Sequence, residues 1–246
     1  MLDITSHDVF ISGLPDRFEG FRIVQWSDIH GGFGTSPAKI RRLAGIVMDQ
    51  KPDIIVLTGD YVSRSVKPIE TSVSEMKGLN AKEGVYAVLG NHDYWTDAER
   101  VTTSLLDNGF DVLFNENRKI DRGNQSISLL GFDDEWEGNK DYVKAFNLLP
   151  HDGVRIGIAH NPDTVSYFGG NRLDFMMAGH THGGMINLPF IGPLFSVTRL
   201  GRKYSSGMFE VNGTQLYICR GTGFGFRIRS KPEIAVFTLK EKCESE

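Results

Sequence analysis

The sequence is poor in cysteine and has no long apolar run, and each absence excludes a class of protein. Among its 246 residues there are only two cysteines, Cys219 and Cys243. Two cysteines, one in a predicted strand and one in the charged tail, make neither a disulfide framework nor a cysteine-rich metal site, so we expect two free thiols. No apolar segment approaches the roughly 18–20 residues of a membrane span.

Repeats, targeting signals and linkers are also missing. No 20–50-residue repeat and no sustained heptad occurs, which excludes solenoids and coiled coils. Asp3, His7 and Asp8 lie where a secretory signal would be apolar, so we expect a cytoplasmic or peripherally membrane-associated protein. Hydrophobic residues make up 40% and charged residues 24%, a balance typical of a folded globular chain. Because no flexible linker interrupts it, we predict one domain over residues 1–246.

The charge is unevenly distributed. The chain carries a net charge of −4, but the segment 185–232 has seven cations against one acid, Glu210. That segment is therefore +6 and the remainder −10, which favours an anionic ligand or surface near it. The alternative is an ordinary solvated face. No basic stripe interleaved with aromatic residues is present, so we expect no specific nucleic-acid partner. The oligomeric state is left open.

Strand and helix patterns alternate from Phe21 to about Ala178. Ser36 and Pro37 are typical of a helix start, and Thr96 with Glu99 predicts a capping box that opens a helix ending at Gly109. Asn-Gly at 212–213 predicts a hairpin turn. The expected strands are 22–27, 53–58, 85–89, 111–114, 154–159, 173–178, 208–211, 215–219 and 233–239, with a hairpin over 120–130 and further helices near 68–79 and 141–149.

Polar residues follow five of the apolar runs. Five of the seven histidines lie in these segments, whereas His7 and His151 do not. In open α/β sheets the carboxyl ends of the strands line the ligand crevice. We therefore expect these side chains to meet at one site. The segments contain Asp28 and His30, Gly59 and Asp60, Gly90 to Asp93, His160 and Asn161, and His180 and His182.

The donor types indicate a metal centre. Imidazole, carboxylate and amide oxygen together suit Mn, Zn, Fe or Co, and the absence of cysteine argues against a structural zinc site. The ligands are too many for one tetrahedral ion. Two ions roughly 3.5–4 Å apart, bridged by a carboxylate, form the clamp used for phosphoryl displacement and can hold a hydroxide between them.

This ordered set of motifs resembles the calcineurin-like binuclear metallophosphoesterases. The matching patterns are Asp-x-His, Gly-Asp, Gly-Asn-His-Asp, a single His, and Gly-His-x-His, and they cover nearly the whole chain. The similarity is greatest to the bacterial YkuE/YaeI-like branch. It implies an α/β fold of two packed mixed β-sheets flanked by helices, an αββα sandwich.

The resemblance also implies residue roles. His92 would lie beside the metals, stabilise the phosphoryl group and protonate the leaving oxygen. Asp93 would orient the His92 ring; the alternative is that Asp93 accepts hydrogen bonds in a turn. One ion would be held by Asp28, His30, Asp60 and His182, and the second by Asp60, Asn91, His160 and His180, with Asp60 as the bridge.

The implied activity is hydrolysis of a phosphodiester or pyrophosphate bond by a hydroxide bridging two divalent ions. Manganese is the first choice of metal, with zinc, iron or cobalt as alternatives. The substrate would be a phosphorylated small molecule or a lipid-linked compound such as a nucleotide-activated acylated sugar. A phosphomonoesterase, a nuclease and a non-catalytic scaffold that retains the metal site are the alternative functions.

Some residues depart from related groups. Ser63 stands where Ser/Thr protein phosphatases have aspartate and purple acid phosphatases have tyrosine, and Leu89 replaces an arginine before Gly-Asn-His. Both of those activities are therefore disfavoured, and a phosphate contact by Arg64 is left open. Met185 replaces the glutamine that is usual in the YkuE/YaeI-like branch, and we expect this change to affect how the substrate fits.

An apolar, proline-containing run at 188–195 follows the last histidines. It is predicted to be a loop bordering the site mouth, with Arg199, Arg202 and Lys203 directly after it. An apolar loop beside cations suits an anionic membrane or an acylated substrate. The alternative is that its aromatic side chains, Phe190 and Phe195, pack against the sheet.

Overall fold

The computed structural model describes residues 1–150, 152–188, 192–194, 197–223 and 227–242. Two six-stranded mixed sheets form its centre. In order across the first sheet the strands are β1 (Asp3–Ile11), β14 (Glu233–Glu241), β2 (Arg22–Trp26), β3 (Ile54–Thr58), β4 (Val85–Val88) and β5 (Asp111–Val112). Across the second they are β12 (Gly207–Val211), β13 (Thr214–Ile218), β9 (Phe175–Ala178), β8 (Arg155–Ile158), β7 (Gln125–Gly131) and β6 (Glu116–Arg122).

Each sheet has a parallel centre. Strands β2 to β5 are parallel, as are β7, β8, β9 and β13. The hairpins predicted at Gly123 and at Asn212 are present as β6–β7 and β12–β13. Parallel central strands point their carboxyl ends the same way, and this places the loops that follow them at one edge of each sheet.

Alternate residues of the strands build two separate apolar layers. In β3, Ile54 and Val56 join a core that also contains Ile156 and Phe175 of the second sheet. Ile55 and its alternate neighbours pack instead against the helices. Those helices are α1 (Pro37–Asp49), α2 (Ile69–Ser74) and α3 (Asn91–Asp107). The outer face of the second sheet is covered by short 3-10 helices at Tyr142–Phe146 and Pro162–Ser166. The predicted αββα class is confirmed.

The predicted start of α3 was wrong. The helix begins at Asn91, directly after β4, and has an extended residue at Asp97. The Asp97 carboxylate accepts the backbone N–H of Arg100 at 3.1 Å, whereas the Thr96 hydroxyl donates to the carbonyl of His92. Asp97 therefore caps the second part of the helix. The first turn starts at Asn91 and carries His92 and Asp93.

Two further expectations need correction. The helix expected over 141–149 is only the 3-10 helix Tyr142–Phe146. Strand β1 was not predicted, because polar residues such as Thr5 and His7 occupy its inward face and hide the apolar alternation. Their polar atoms contact the hydroxyl of Tyr217 on the second sheet.

The run at 188–195 is not entirely a loop. Its described residues include parts of a small antiparallel hairpin, β10 (Asn187–Leu188) with β11 (Gly192–Pro193). Pro189, Phe190, Ile191 and Phe195 lie outside the described residues, as does Cys243. Cys219 is a buried free thiol. In the described part of the chain, no helix has the length and apolar character needed to cross a membrane.

Candidate metal centre

The predicted ligands come from the carboxyl ends of five parallel strands. Asp28 and His30 follow β2, Asp60 follows β3, and Asn91 opens α3 after β4. From the second sheet, His160 follows β8, and His180 and His182 follow β9. Hydrogen bonds join the two sheets here: Nδ1 of His160 lies 2.8 Å from the carbonyl oxygen of Thr58, and the backbone N–H of His180 donates to Asp28 at 3.1 Å.

Four of these residues form a compact cluster, called group A here: Asp28, His30, Asp60 and His182. One ligand atom from each lies within 4.8 Å of all the others. The Nε2 atoms of His30 and His182 are 3.2 Å apart, and each lies 3.5 Å from a carboxylate oxygen, of Asp60 and Asp28 respectively. This is the set that the resemblance assigns to the first ion.

The second set, group B, comprises Asp60, Asn91, His160 and His180. Nε2 of His160 lies 3.3 Å from Oδ2 of Asp60 and 3.1 Å from Nδ1 of His180. Oδ1 of Asn91 and Nε2 of His180 are buried without a hydrogen-bond partner. A buried amide oxygen that lacks a donor is costly, and a cation would satisfy it. The donor set therefore fits a second divalent ion.

The backbone at the site is unusual. Five of the seven predicted ligands have a positive φ between 49° and 72°, in the left-handed region, namely Asp28, His30, Asp60, His180 and His182. Each such residue costs about 1–2 kcal/mol relative to the right-handed form. Close packing adds a second constraint, because a Cβ on Gly90 would lie 2.3 Å from Oδ1 of Asp60. Strain concentrated in this way is typical of functional sites.

Burial keeps three of the histidine rings neutral. It lowers the pKa of His30 to about 4 and that of His180 to about 3, and it lowers the pKa of His182 well below the ordinary value. The neutral imidazole is the form that binds metal. These rings are therefore ready to act as ligands at neutral pH.

The carboxylates behave differently from one another. Burial raises the pKa of Asp28 to about 6, although His160 opposes the shift. For Asp60 burial acts in the same direction, but His160 and His30 lower the pKa below its usual range. The Asp60 carboxylate in turn raises the pKa of His160 well above normal, against the effect of burial. Asp60 is thus the ionised carboxylate between the two groups.

The structure favours the alternative role for Asp93. Its two carboxylate oxygens accept the backbone N–H groups of Gly90, Asp60 and Tyr61 at 2.8–2.9 Å, and Oδ1 also accepts that of Val62 at 3.3 Å. Nδ1 of His92 is buried and has no hydrogen-bond partner. The expectation that Asp93 orients the His92 ring was therefore wrong. Asp93 instead ties the loop after β3 to the start of α3.

His92 lies at the edge of group A. Its ring centroid is 4.8 Å from that of His30 in an edge-to-face arrangement, and its backbone N–H donates to Oδ1 of Asp60 at 2.9 Å. Burial lowers the pKa of this half-buried ring. The ring is thus held beside the clustered ligands, and its Nδ1 makes no hydrogen bond.

The sequence analysis missed two groups of residues around the site. Ser63, noted only as a departure, places its hydroxyl 2.5 Å from Nδ1 of His30 and so orients that ring. Asp133, Asp134 and Glu135 follow β7 after one intervening residue, Phe132, and are buried. Burial raises the pKa of Asp134 to about 6, partly offset by His160. Three consecutive acids after an apolar strand were the available signal.

Comparison with known proteins now identifies the family. The calcineurin-like phosphoesterase model matches residues 21–184, which contain all seven predicted ligands. The chain belongs to this family. It is 33% identical to the uncharacterised metallophosphoesterase YkuE of Bacillus subtilis, over 98% of this chain and 86% of that protein.

Two other relatives have names that state an activity. The phosphodiesterase YaeI of Escherichia coli is 29% identical over 91% of this chain and 84% of its own length. The UDP-2,3-diacylglucosamine pyrophosphatase LpxG of Chlamydia muridarum is also 29% identical, over 91% of this chain and 85% of its own. Family membership makes the chain a metal-dependent phosphoesterase, a hydrolase, and leaves its substrate to be determined.

Proposed function

We propose that the chain hydrolyses a phosphodiester or pyrophosphate bond with two divalent ions, one held by group A and one by group B. The observation that carries this proposal is the closure of group A, whose four ligand atoms lie within 4.8 Å of one another, beside the unpartnered amide oxygen of Asn91. Asp60 belongs to both groups and would bridge them. Bound together, such ions supply Lewis-acid stabilisation and activate water near neutral pH.

His92 is the proposed acid. Its ring lies beside that of His30, which supports a position next to the phosphoryl group that the two ions would hold. Burial lowers its pKa in the free protein, but an anionic phosphoryl group nearby would favour the protonated ring. The ring would then stabilise that charge and give its proton to the leaving oxygen.

The substrate class is proposed from the relatives' names. YaeI is named a phosphodiesterase and LpxG a pyrophosphatase of an acylated nucleotide sugar. Both support a diester or pyrophosphate rather than a monoester, and LpxG supports a lipid-linked substrate. Contact with an anionic membrane through Phe190 and Phe195 stays a prediction. A non-catalytic scaffold is not favoured, because all seven ligand positions and His92 are occupied by suitable residues.

Metal removal and replacement test the proposal. Chelation should abolish hydrolysis of an activated phosphodiester, and manganese should restore it better than magnesium because imidazole ligands favour borderline metals. Elemental analysis should find about two ions per chain. A His7→Ala variant, which loses a histidine outside the site, should keep that metal content. Full activity without any bound metal would overturn the proposal.

A further inference from the structure

Two partly exposed indoles lie beside the metal centre. Trp95 and Trp136 are 44% and 37% exposed, whereas the third tryptophan of the chain, Trp26, is fully buried. The Trp95 ring centroid is 4.8 Å from that of His92, and the Trp136 centroid is 4.5 Å from that of His180. Neither tryptophan is a proposed metal ligand. Metal binding therefore does not explain why both indoles lie beside this site.

The two indoles form one surface. Their ring centroids are 6.2 Å apart and their planes are inclined by 34°. The guanidinium carbon of Arg64 lies 5.9 Å from the Trp95 ring centroid, so a cation borders the same surface. We call Trp95, Trp136 and Arg64 the indole platform. It extends from the proposed acid, His92, to the group B ligand His180.

The platform is held in place by polar contacts on two chain segments. Nε1 of Trp95 donates to Glu137 at 2.8 Å, and the hydroxyl of the preceding Tyr94 donates to Asp133 at 2.5 Å. The Asp134 carboxylate accepts the backbone N–H groups of Trp136 and Glu137 at 2.9 and 3.0 Å. These bonds link the first turn of α3 to the turn after β7 while leaving part of both indoles exposed.

The turn after β7 is closely built. A Cβ on Gly138 would lie 2.4 Å from Oδ1 of Asp133, so only glycine fits there without displacing that carboxylate.

A rigid aromatic surface binds a flat ring at a small cost in conformational entropy. The described neighbours of the two indoles include Arg64, Glu137, His92 and His180, and such polar and aromatic neighbours suit a planar heterocycle better than an acyl chain.

We propose that the indole platform stacks against the base of a nucleoside phosphate and that Arg64 contacts its phosphate. Base stacking on an aromatic side chain contributes about 1–3 kcal/mol, and a guanidinium binds phosphate oxygens well. The inference rests on the proposed function, because it assigns the part of the substrate that carries the phosphoryl group. It also gives Arg64 a role that the sequence left open.

Tryptophan fluorescence reports on the platform directly, because two of the three tryptophans belong to it. Metal-loaded protein should show a saturable fluorescence change with uridine monophosphate. Glycerol 3-phosphate, which lacks a ring, should bind at least about 5-fold more weakly, the equivalent of about 1 kcal/mol of stacking. Trp95→Ala and Trp136→Ala should each weaken binding of uridine monophosphate, and Trp95→Phe should retain most of it.

Matched variants separate the contributions. Arg64→Gln should weaken binding of uridine monophosphate but not of uridine. Phe10→Ala removes an aromatic side chain that is 51% exposed at the opposite end of the first sheet, and it should change nothing. Circular dichroism of each variant checks that it is folded.

The outcomes distinguish the two proposals. Equal affinities for uridine monophosphate and glycerol 3-phosphate, or unchanged affinity in folded Trp95→Ala and Trp136→Ala, would overturn the platform whatever the enzyme hydrolyses. Selective, platform-dependent binding of uridine monophosphate by a protein that hydrolyses neither diesters nor pyrophosphates would support the platform and overturn the proposed function.

Discussion

Groups A and B share Asp60 but differ in how completely their ligands are positioned. In group A, His30 contacts Ser63, Nδ1 of His182 lies 3.1 Å from the Arg227 guanidinium, and the ligand atoms already converge. In group B, the Asn91 amide oxygen and Nε2 of His180 have no hydrogen-bond partner. Group A is thus preformed by protein contacts, whereas the proposed ion would complete group B. We expect group A to bind the tighter ion.

Asp60→Ala should have the largest effect, because the substitution removes a ligand from both groups. Hydrolysis should fall by more than the about 10²–10⁴-fold typical of losing an acid–base group, and elemental analysis should show loss of both ions. Asn91→Ala is the matched variant for group B alone and should keep about one ion per chain. Two retained ions in Asp60→Ala would show that the groups do not share this carboxylate.

His92→Ala should lower the rate by about 10²–10⁴-fold with both ions still bound, because His92 lies outside the two groups. The loss should shrink for substrates with good leaving groups, which need less protonation. Rates for a series of aryl phosphodiesters, with metal content measured on the same samples, check this. If His92→Ala lost metal as severely as Asp60→Ala, the ring would be a ligand instead.

Ser63→Ala should weaken the ion of group A by about 10–100-fold, the usual cost of losing a contact that orients a metal-bound histidine. Group B should be unaffected, since Ser63 contacts His30. Competition with a fluorescent chelator measures both affinities. The exposed neighbour Ser65 offers the control Ser65→Ala. Equal weakening at both groups would mean that the two ions are not positioned independently.

Glu233→Gln should have the smallest effect on hydrolysis and metal binding, because Glu233 is connected to group A indirectly, through Arg220 and Arg227, and its main effect should be on stability. Glu233 accepts the backbone N–H of Arg220 at 3.0 Å and its Nε at 3.1 Å, and the carbonyl of Arg220 accepts a hydrogen bond from Arg227. Burial raises the pKa of Glu233, but the hydrogen bonds from Arg220 and Tyr217 outweigh burial. The net result is a pKa below the ordinary value of 4.5. At neutral pH the variant should lose about 1–3 kcal/mol of unfolding free energy.

The sign of the pH dependence follows from that lowered pKa. The stabilisation by Glu233 is present above its unfolded pKa and is lost as pH falls through its folded pKa. Denaturant unfolding should therefore show that the difference in unfolding free energy between wild type and Glu233→Gln is largest at neutral pH and decreases in acid. The exposed Glu210→Gln should leave stability unchanged. A difference in unfolding free energy that does not change with pH would contradict this account.

Local patterns were sufficient where a residue's role depends on its own segment. The helix cap at Ser36, the Asn-Gly turn at 212–213 and the buried run of β3 all appear as predicted. The local pattern was misleading at Thr96. The residue that caps this part of the helix is Asp97, one residue later, and a further helical turn precedes it. The helix had to begin at Asn91 because Asp93 binds backbone N–H groups of the loop after β3, a contact that sequence spacing does not reveal.

The sequence by itself determined the kinds of ligand and their placement after apolar strands, because parallel strands direct their carboxyl ends to one edge. The extent of the domain, 1–246, stays a prediction from sequence alone. Only the tertiary structure decided that Ser63 orients His30, that Asp93 serves the backbone, and that Trp95 meets Trp136. The physical reason is distance along the chain: the first two contacts form only once β2, β3 and β4 have paired in the first sheet, and the third only once the two sheets have packed.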